Sequence, residues 1–170
     1  MRVARHPPDV LFLEECRSLS ITARAMLAAL VFERFCVEHD LGGSELDAFL
    51  SHHWGWLDVG LGGADFSTWE RAQPALPLLE SHHVLEHRFR TAAEQVVATL
   101  WASFYGAAED EVTFRSLQSV VEHARPRELP PLTPFKFSRF QEGAGWGASL
   151  TRADRDCWHA LRLTYSRPTA

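Results

Sequence analysis

The feature that most constrains the fold is an uninterrupted apolar run inside the segment SITARAMLAALVFERFCVE, residues 20–38. All eight residues from Ala25 to Phe32 are apolar, so about two turns of a helix would be apolar on every side. Such a helix must be surrounded by other elements, and eight residues are far fewer than the roughly 20 that cross a bilayer. Ser20 is a favourable N-cap residue. We therefore expect a buried central helix over about residues 20–38.

The remaining sequence is patterned mainly as further helices. After residues 39–43, where glycine would supply the left-handed residue that ends the central helix, Ser44 is expected to cap the next helix. The apolar stripe of that helix comprises Leu46, Phe49, Leu50, His53, Trp54 and Leu57. Other helices are expected over residues 10–17, 65–71, 80–105, 111–124 and 151–161, the last with a capping box of Thr151 and Asp154.

Length and composition favour one domain. With 170 residues, 46% of them hydrophobic, the chain can bury a substantial core. We expect a single all-α domain over residues 1–170, with six or seven helices and short connections except at residues 126–150. That segment is rich in proline and glycine and long for an irregular connection. Its aromatic residues predict that it is clamped over the core; they are Phe135, Phe137, Phe140 and Trp146.

Acidic residues are concentrated in one part of the chain. Seven of the 22 acidic residues lie between residues 38 and 70, and no Lys or Arg falls in that interval, although the net charge is only −5. Such a surface is a poor partner for nucleic acid, because phosphate binding needs clustered basic residues. It suits a basic protein instead, since acids steer a basic partner and aromatic rings anchor it.

This pattern gives the candidate binding residues. They are Glu38, Asp40, Glu45, Asp47, Trp56, Asp58, Asp65, Trp69 and Glu70. Among the tryptophans, Trp56 is the best candidate for exposure because it lies off the centre of the apolar stripe. The alternative is that the acids merely solvate helix faces and that the tryptophans belong to the core.

The sequence HVLEH at residues 83–87 fits the H-x-x-E-H pattern of a class of zinc proteases. Two histidines at i and i+4 on a helix can both bind zinc, with the glutamate as general base. That class needs a further glutamate ligand on a later helix, and the last glutamate here, Glu142, is too close. A metal-dependent enzyme using His83, Glu86 and His87 is therefore an alternative hypothesis, while the leading expectation is a protein without enzymatic activity, metal or cofactor.

No targeting or membrane segment is evident. The chain starts without the cationic stretch and apolar run of a signal peptide. Its three cysteines, Cys16, Cys36 and Cys157, lack zinc-like spacing, and an odd number favours reduced thiols. We expect a cytoplasmic protein that does not contact a membrane.

Two short motifs carry a family resemblance over roughly the first 105 residues. FERFC at residues 32–36 ends the central helix, and DFSTWE at residues 65–70 opens a short helix after an acidic one. This order resembles the all-helical immunity proteins of bacterial polymorphic toxin and contact-dependent inhibition systems. The resemblance implies a small cytosolic protein without catalytic residues that binds and blocks a cognate toxin, often a basic nuclease. A helical adaptor or regulatory subunit is a further alternative.

Overall fold

Helices make up the structure, a computed structural model that describes residues 7–60, 62–63 and 65–167. The helices are α1 (Pro7–Cys16), α2 (Ile21–Glu38), α3 (Ser44–Trp54), α4 (Trp56–Gly60), α5 (Phe66–Arg71), α6 (Glu86–Trp101), α7 (Asp110–Ala124) and α8 (Arg152–Leu161). In the described ranges, the only strand-like pairing is an isolated bridge between Leu19 and Arg139. The expected all-α fold is confirmed; residues 1–6 and 168–170 of the expected domain lie outside the described residues.

The central helix α2 is buried along most of its length. Every residue from Ile21 to Glu33 is buried, and α2 packs against α3, α6, α7 and a π-helical turn at Arg162–Ser166 that continues α8. Ser20 caps the helix, because its hydroxyl accepts a hydrogen bond from the Ala23 N–H at 3.0 Å. Burial of a large side chain such as Leu27 stabilises the fold by roughly 1.5–3 kcal/mol. Both the predicted helix and its predicted cap are confirmed.

The connection from α2 to α3 departs from the expectation in two ways. Asp40, with a φ of 54°, is the left-handed residue after α2, and no glycine takes that place. Aspartate tolerates this conformation because its short polar side chain can bond locally. Gly43 has a φ of 131° and is the N-cap of α3, so Ser44 is the first helical residue and not the cap. All residues of the expected apolar stripe are buried, but the stripe is divided between two helices, since α3 ends at Trp54 and Leu57 lies on α4.

The helix predicted over residues 80–105 is shorter, because α6 runs from Glu86 to Trp101. Residues 72–85 form a connection of turns and irregular chain, so the expectation of short connections outside residues 126–150 was wrong. Pro74 and Pro77 cannot donate helical hydrogen bonds, and His83 Nδ1 accepts the Leu85 N–H at 3.1 Å in a local turn. Within α6, Phe89, Ala92, Val96 and Leu100 are buried at helical spacing.

Residues 126–150 are irregular, with 3-10 turns at Thr133–Phe135 and Gly143–Gly145, and are held against the core as predicted, although Phe137 is exposed. Phe135 is fully buried, with its ring centroid 4.6 Å from that of Trp158 on α8. The Ser20 N–H donates to the Ser138 carbonyl at 2.9 Å. Gly147 has a φ of 95°, and a Cβ there would lie 2.4 Å from Ser138 Oγ. The clamp therefore requires glycine at this position.

A buried arginine fastens the start of α2 to two neighbouring helices. The Arg24 side chain is fully buried and donates to the carbonyls of Cys16, Arg17 and Asp110. Its Nη1 also lies 2.7 Å from the Asp110 carboxylate. Burial lowers the pKa of Arg24, and the bond to Asp110 opposes that shift. Because each of its three nitrogens donates a hydrogen bond, the guanidinium holds the end of α1 and the start of α7 against α2.

The buried carboxylate of Glu33 fastens the C-terminal part of the chain, at Arg162 and Arg167, to α2. The Glu33 side chain is 2% exposed and accepts hydrogen bonds from Arg162 at 2.8 and 3.2 Å and from Arg167 at 2.7 Å. Paired, hydrogen-bonded charges of this kind avoid the large cost of an isolated buried ion.

None of the described helices combines the length and the apolar character that crossing a bilayer requires.

Candidate functional site

Several acids of the 38–70 segment are used inside the protein. Glu38 accepts a hydrogen bond from Arg34 at 2.7 Å and from the Arg127 N–H at 3.2 Å, and its side chain is only 8% exposed. Asp58 forms an ion pair with Arg155 of α8 at 3.1 Å. These carboxylates hold elements together, so their charge is largely neutralised before any partner arrives.

Two more acids have partial structural roles. Asp65 caps α5, accepting the Thr68 N–H at 2.8 Å and the Thr68 hydroxyl at 2.9 Å, and these bonds lower the pKa of Asp65. Asp47 is exposed, and its carboxylate lies 3.9 Å from Arg167 Nη2, which is beyond hydrogen-bonding distance. Asp47 therefore keeps most of its charge available.

Asp40 and Glu45 stand apart from the other acids because they flank the short loop between α2 and α3. Both are exposed, and among the described residues neither has an ion-pair partner. Glu70 also lacks an ion-pair partner within the described part of the chain, but it is half-buried on α5. The acidic surface that remains free is thus narrower than the sequence pattern indicated and centres on the start of α3.

The two candidate tryptophans are not exposed anchors. Trp69 is buried, its Nε1 donates to the His52 carbonyl at 2.8 Å, and its ring stacks on the His52 ring at 4.5 Å. Trp56 is half-buried, and its Nε1 donates to the Thr22 hydroxyl at 3.4 Å. Trp56 is less buried than Trp54 and Trp69, in line with the expectation, but it is not exposed, because α4 turns its ring towards α2 and neighbouring aromatic residues.

Those residues form an aromatic cluster, in which neighbouring ring centroids are 5.2–6.4 Å apart. Its members are Trp56, Phe66, Trp69, Trp101, Phe104 and Trp146. Tilted and edge-on ring pairs at such distances add about 0.5–1.5 kcal/mol each beyond burial. The cluster therefore docks α4, α5 and the Gly143–Gly145 turn against the end of α6, and its rings face one another.

A cavity of about 260 Å³ lies beside the free acids, and we call it the α2–α3 pocket. It opens between the loop and first turn of α3, at residues 41–46, and the irregular chain at residues 77–79, with Phe89 of α6 also lining it. Leu41, Leu46 and Leu79 give it apolar walls, whereas Leu78 is 71% exposed. Small-molecule sites typically occupy 300–1,000 Å³, so this pocket is sized for one large side chain.

The charge of the pocket is set by the first turn of α3. Glu45 is the charged residue among the described lining residues, and Asp47 lies in the same turn. A helix N-terminus carries about half a positive charge, whereas each carboxylate carries a full negative one. The local balance is therefore negative. Sequence reasoning identified Glu45 but missed the opposite wall, because residues 77–79 were expected to lie just before a helix that starts later.

The HVLEH motif does not form the helical pair that its spacing suggested. α6 begins at Glu86, so His83 lies in the preceding turn and uses Nδ1 to accept the Leu85 N–H. Within the described residues, no three or more His, Cys, Asp or Glu side chains are grouped to hold a metal ion. His87 instead lies near His123, with ring centroids 6.0 Å apart.

The buried thiols are also poor nucleophiles. Burial raises the pKa of Cys16 to about 12, and burial likewise raises the pKa of Cys36. Both therefore stay protonated at neutral pH, and the thiolate is the reactive form. The third free cysteine, Cys157, is exposed on α8.

Comparisons of this chain with protein-family models, with curated proteins and with solved structures found no match.

Proposed function

We propose that this chain is an immunity-type inhibitor that binds a basic toxin domain at the α2–α3 pocket. The observation that carries the proposal is that Glu45, which has no ion-pair partner among the described residues, lines a pocket with leucine walls, and that Asp40, equally without such a partner, directly precedes the lining residue Leu41. The motifs at residues 32–36 and 65–70 that resemble immunity proteins support the same class. A nuclease is the kind of toxin that fits best, since its nucleic-acid groove must be positive.

Binding would combine two effects with different physical origins. The free carboxylates of Glu45, which lines the pocket, and of Asp40, which precedes it in the chain, would attract a basic surface and raise the association rate, an effect that falls with ionic strength. The apolar walls and the exposed Leu78 supply a place where a partner side chain is desolvated, which is where interface energy concentrates. Occupying the toxin's positive surface would then block access of nucleic acid, so inhibition needs one copy per toxin and no chemistry.

The proposal is tested by capture followed by a growth assay. The tagged full chain is used as bait in a lysate of its source bacterium, and each captured protein is expressed in a laboratory strain. We expect a basic protein recovered in equal amount that stops growth when expressed alone and is harmless when the chain is co-expressed. Recovery of no growth-inhibiting protein would refute the proposal.

Matched charge reversals locate the surface. Glu45→Lys should reduce both the association rate and the protection of growth, because it places a positive charge at the pocket. Glu94→Lys is the control, since Glu94 is exposed on α6 and has no ion-pair partner within the described residues. Equal protection by the two variants would show that inhibition uses another face of the protein.

A further inference from the structure

We propose that the α2–α3 pocket receives an arginine side chain of the partner, an inference that rests on the proposed function and specifies its central contact. The pocket volume of about 260 Å³ admits one large side chain and excludes most cofactors. The remaining question is which side chain suits both the walls and the charge of the cavity.

The walls favour a side chain with an extended apolar or planar part. Leu41, Leu46, Pro77 and Leu79 line the cavity, and Phe89 of α6 also contributes to its lining. An arginine can lay its three methylene groups along the leucines while its planar guanidinium contacts an aromatic ring or a carboxylate. A lysine ammonium is more strongly hydrated and has no planar face, so it would lose more on entering this cavity.

The charge of the cavity argues against a purely apolar side chain. Glu45 lines the pocket, and a leucine or phenylalanine seated there would strip water from its carboxylate without replacing the lost hydrogen bonds. A guanidinium supplies those hydrogen bonds and can do so with two N–H groups at once. An acidic side chain is disfavoured, because Glu45 and Asp47 together outweigh the partial positive charge of the helix start.

The position of the pocket adds a geometric reason. Asp40, directly before the lining residue Leu41, is exposed and without an ion-pair partner in the described part of the chain. A basic surface that places an arginine in the pocket would therefore also lie close to the residue that carries a second free carboxylate. Arginine is also enriched among residues that dominate interface energies.

The inference is tested on the intact chain without any toxin. Blocked single amino acids (N-acetyl arginine, lysine, leucine and glutamate amides) are titrated into isotope-labelled protein, and backbone amide shifts are followed by NMR. We expect the arginine compound to shift the amides of residues 42–46 and 78–79 in a saturable way. Its Kd should be on the order of 1 mM, the scale for a ligand of about 15 non-hydrogen atoms.

The matched variants are Glu45→Gln and Glu94→Gln, both at exposed positions. Glu45→Gln should weaken the arginine compound about fivefold, and Glu94→Gln should leave it unchanged. Equal or tighter binding of the lysine or leucine compound, or shifts that appear elsewhere, would overturn the assignment of arginine to this pocket.

Failure of this inference can be told apart from failure of the proposed function. A chain that neutralises a toxin but ignores the arginine compound would refute the arginine assignment alone. A chain that binds the arginine compound here but captures no growth-inhibiting protein would refute the immunity function and leave the pocket assignment standing.

Discussion

Charged side chains on the central helix and charged side chains beside the pocket differ in their surroundings. Arg24 and Glu33 are buried on α2, and each is saturated by partners from distant parts of the chain. Asp40 and Glu45 lie a few residues beyond α2, exposed and without an ion-pair partner in the described ranges. The first pair fixes the fold, because a buried ion that loses its partners is very costly. The second pair contributes little to the fold and is therefore available for binding.

The largest effect should follow from removing the buried cation. Arg24→Met would remove the hydrogen bonds that the charged guanidinium donates to the carbonyls of Cys16, Arg17 and Asp110, so at about 1.5 kcal/mol for each bond we expect a loss of about 3–5 kcal/mol in the free energy of unfolding. Urea denaturation followed by circular dichroism measures it. Arg90→Met is the control, because Arg90 is half exposed and forms only an i,i+4 pair with Glu86. A loss below 1 kcal/mol would contradict the structural role of Arg24.

The buried, neutral His53 side chain should make the free energy of unfolding depend on pH. His53 lies on α3 with Nε2 donating to the Ala25 carbonyl at 3.0 Å, and burial lowers its pKa from 6.5 to about 4. Between pH 6.5 and 4, His53 is therefore protonated in the unfolded chain but neutral in the folded chain. The free energy of unfolding accordingly falls as the pH drops from about 6.5 towards 4. The expected loss is about 3 kcal/mol.

Unfolding free energies measured between pH 7.5 and 4.5 check this prediction. In His53→Gln, which cannot take up a proton, that part of the pH dependence should disappear. In His82→Gln, at an exposed position, it should persist. The same slope in the wild type and His53→Gln would show that His53 does not titrate as described.

A smaller effect is expected at the other end of α2. Glu33→Gln weakens the attachment of Arg162 and Arg167, and we expect a loss of about 2 kcal/mol, the scale of hydrogen bonds to charged groups. Hydrogen exchange should show faster opening of α8 than of α6. Uniform opening of both helices would mean that Glu33 does not fasten the C-terminal part specifically.

The smallest effect on stability is expected beside the pocket. Asp40→Asn keeps a residue type that tolerates the left-handed conformation, and Glu45→Gln keeps the size of the side chain. The double variant should change the free energy of unfolding by less than about 1 kcal/mol, because each carboxylate loses only weak surface interactions. If urea denaturation showed a larger loss in the free energy of unfolding, these two acids would stabilise the fold, as Arg24 and Glu33 do, and would not be reserved for binding.

Periodicity and capping were enough to predict much of the fold, because they are local properties. The buried run at Ala25–Phe32, the Ser20 cap and the apolar stripe of α3 are all present as expected. The start of α6 was missed, because Val84 and Leu85 extend the helical spacing of the apolar residues backwards from Phe89, whereas the helix begins only at Glu86. Helical spacing alone could not reveal the local turn in which His83 Nδ1 accepts the Leu85 N–H.

The candidate site was less predictable, because it depends on contacts between distant residues. From the sequence alone, Glu38 and Asp58 looked like free acids. The fold brings the Arg127 N–H to Glu38 and the Arg155 side chain to Asp58. The sequence pattern favoured an exposed Trp56, but in the structure its ring packs against Trp69 and Phe104 of the aromatic cluster. The pocket itself joins residues 41–46 to residues 77–79, which no local pattern connects.

The most direct measurement is the binding of the captured toxin to the wild-type chain, Glu45→Lys and Glu94→Lys by surface plasmon resonance at two salt concentrations. If the free acids beside the pocket form the interface, Glu45→Lys should lower the association rate at least tenfold at low salt, with a smaller difference at high salt. Glu94→Lys should match the wild type. Identical association rates and affinities for all three proteins would contradict the proposed separation between structural and binding charges.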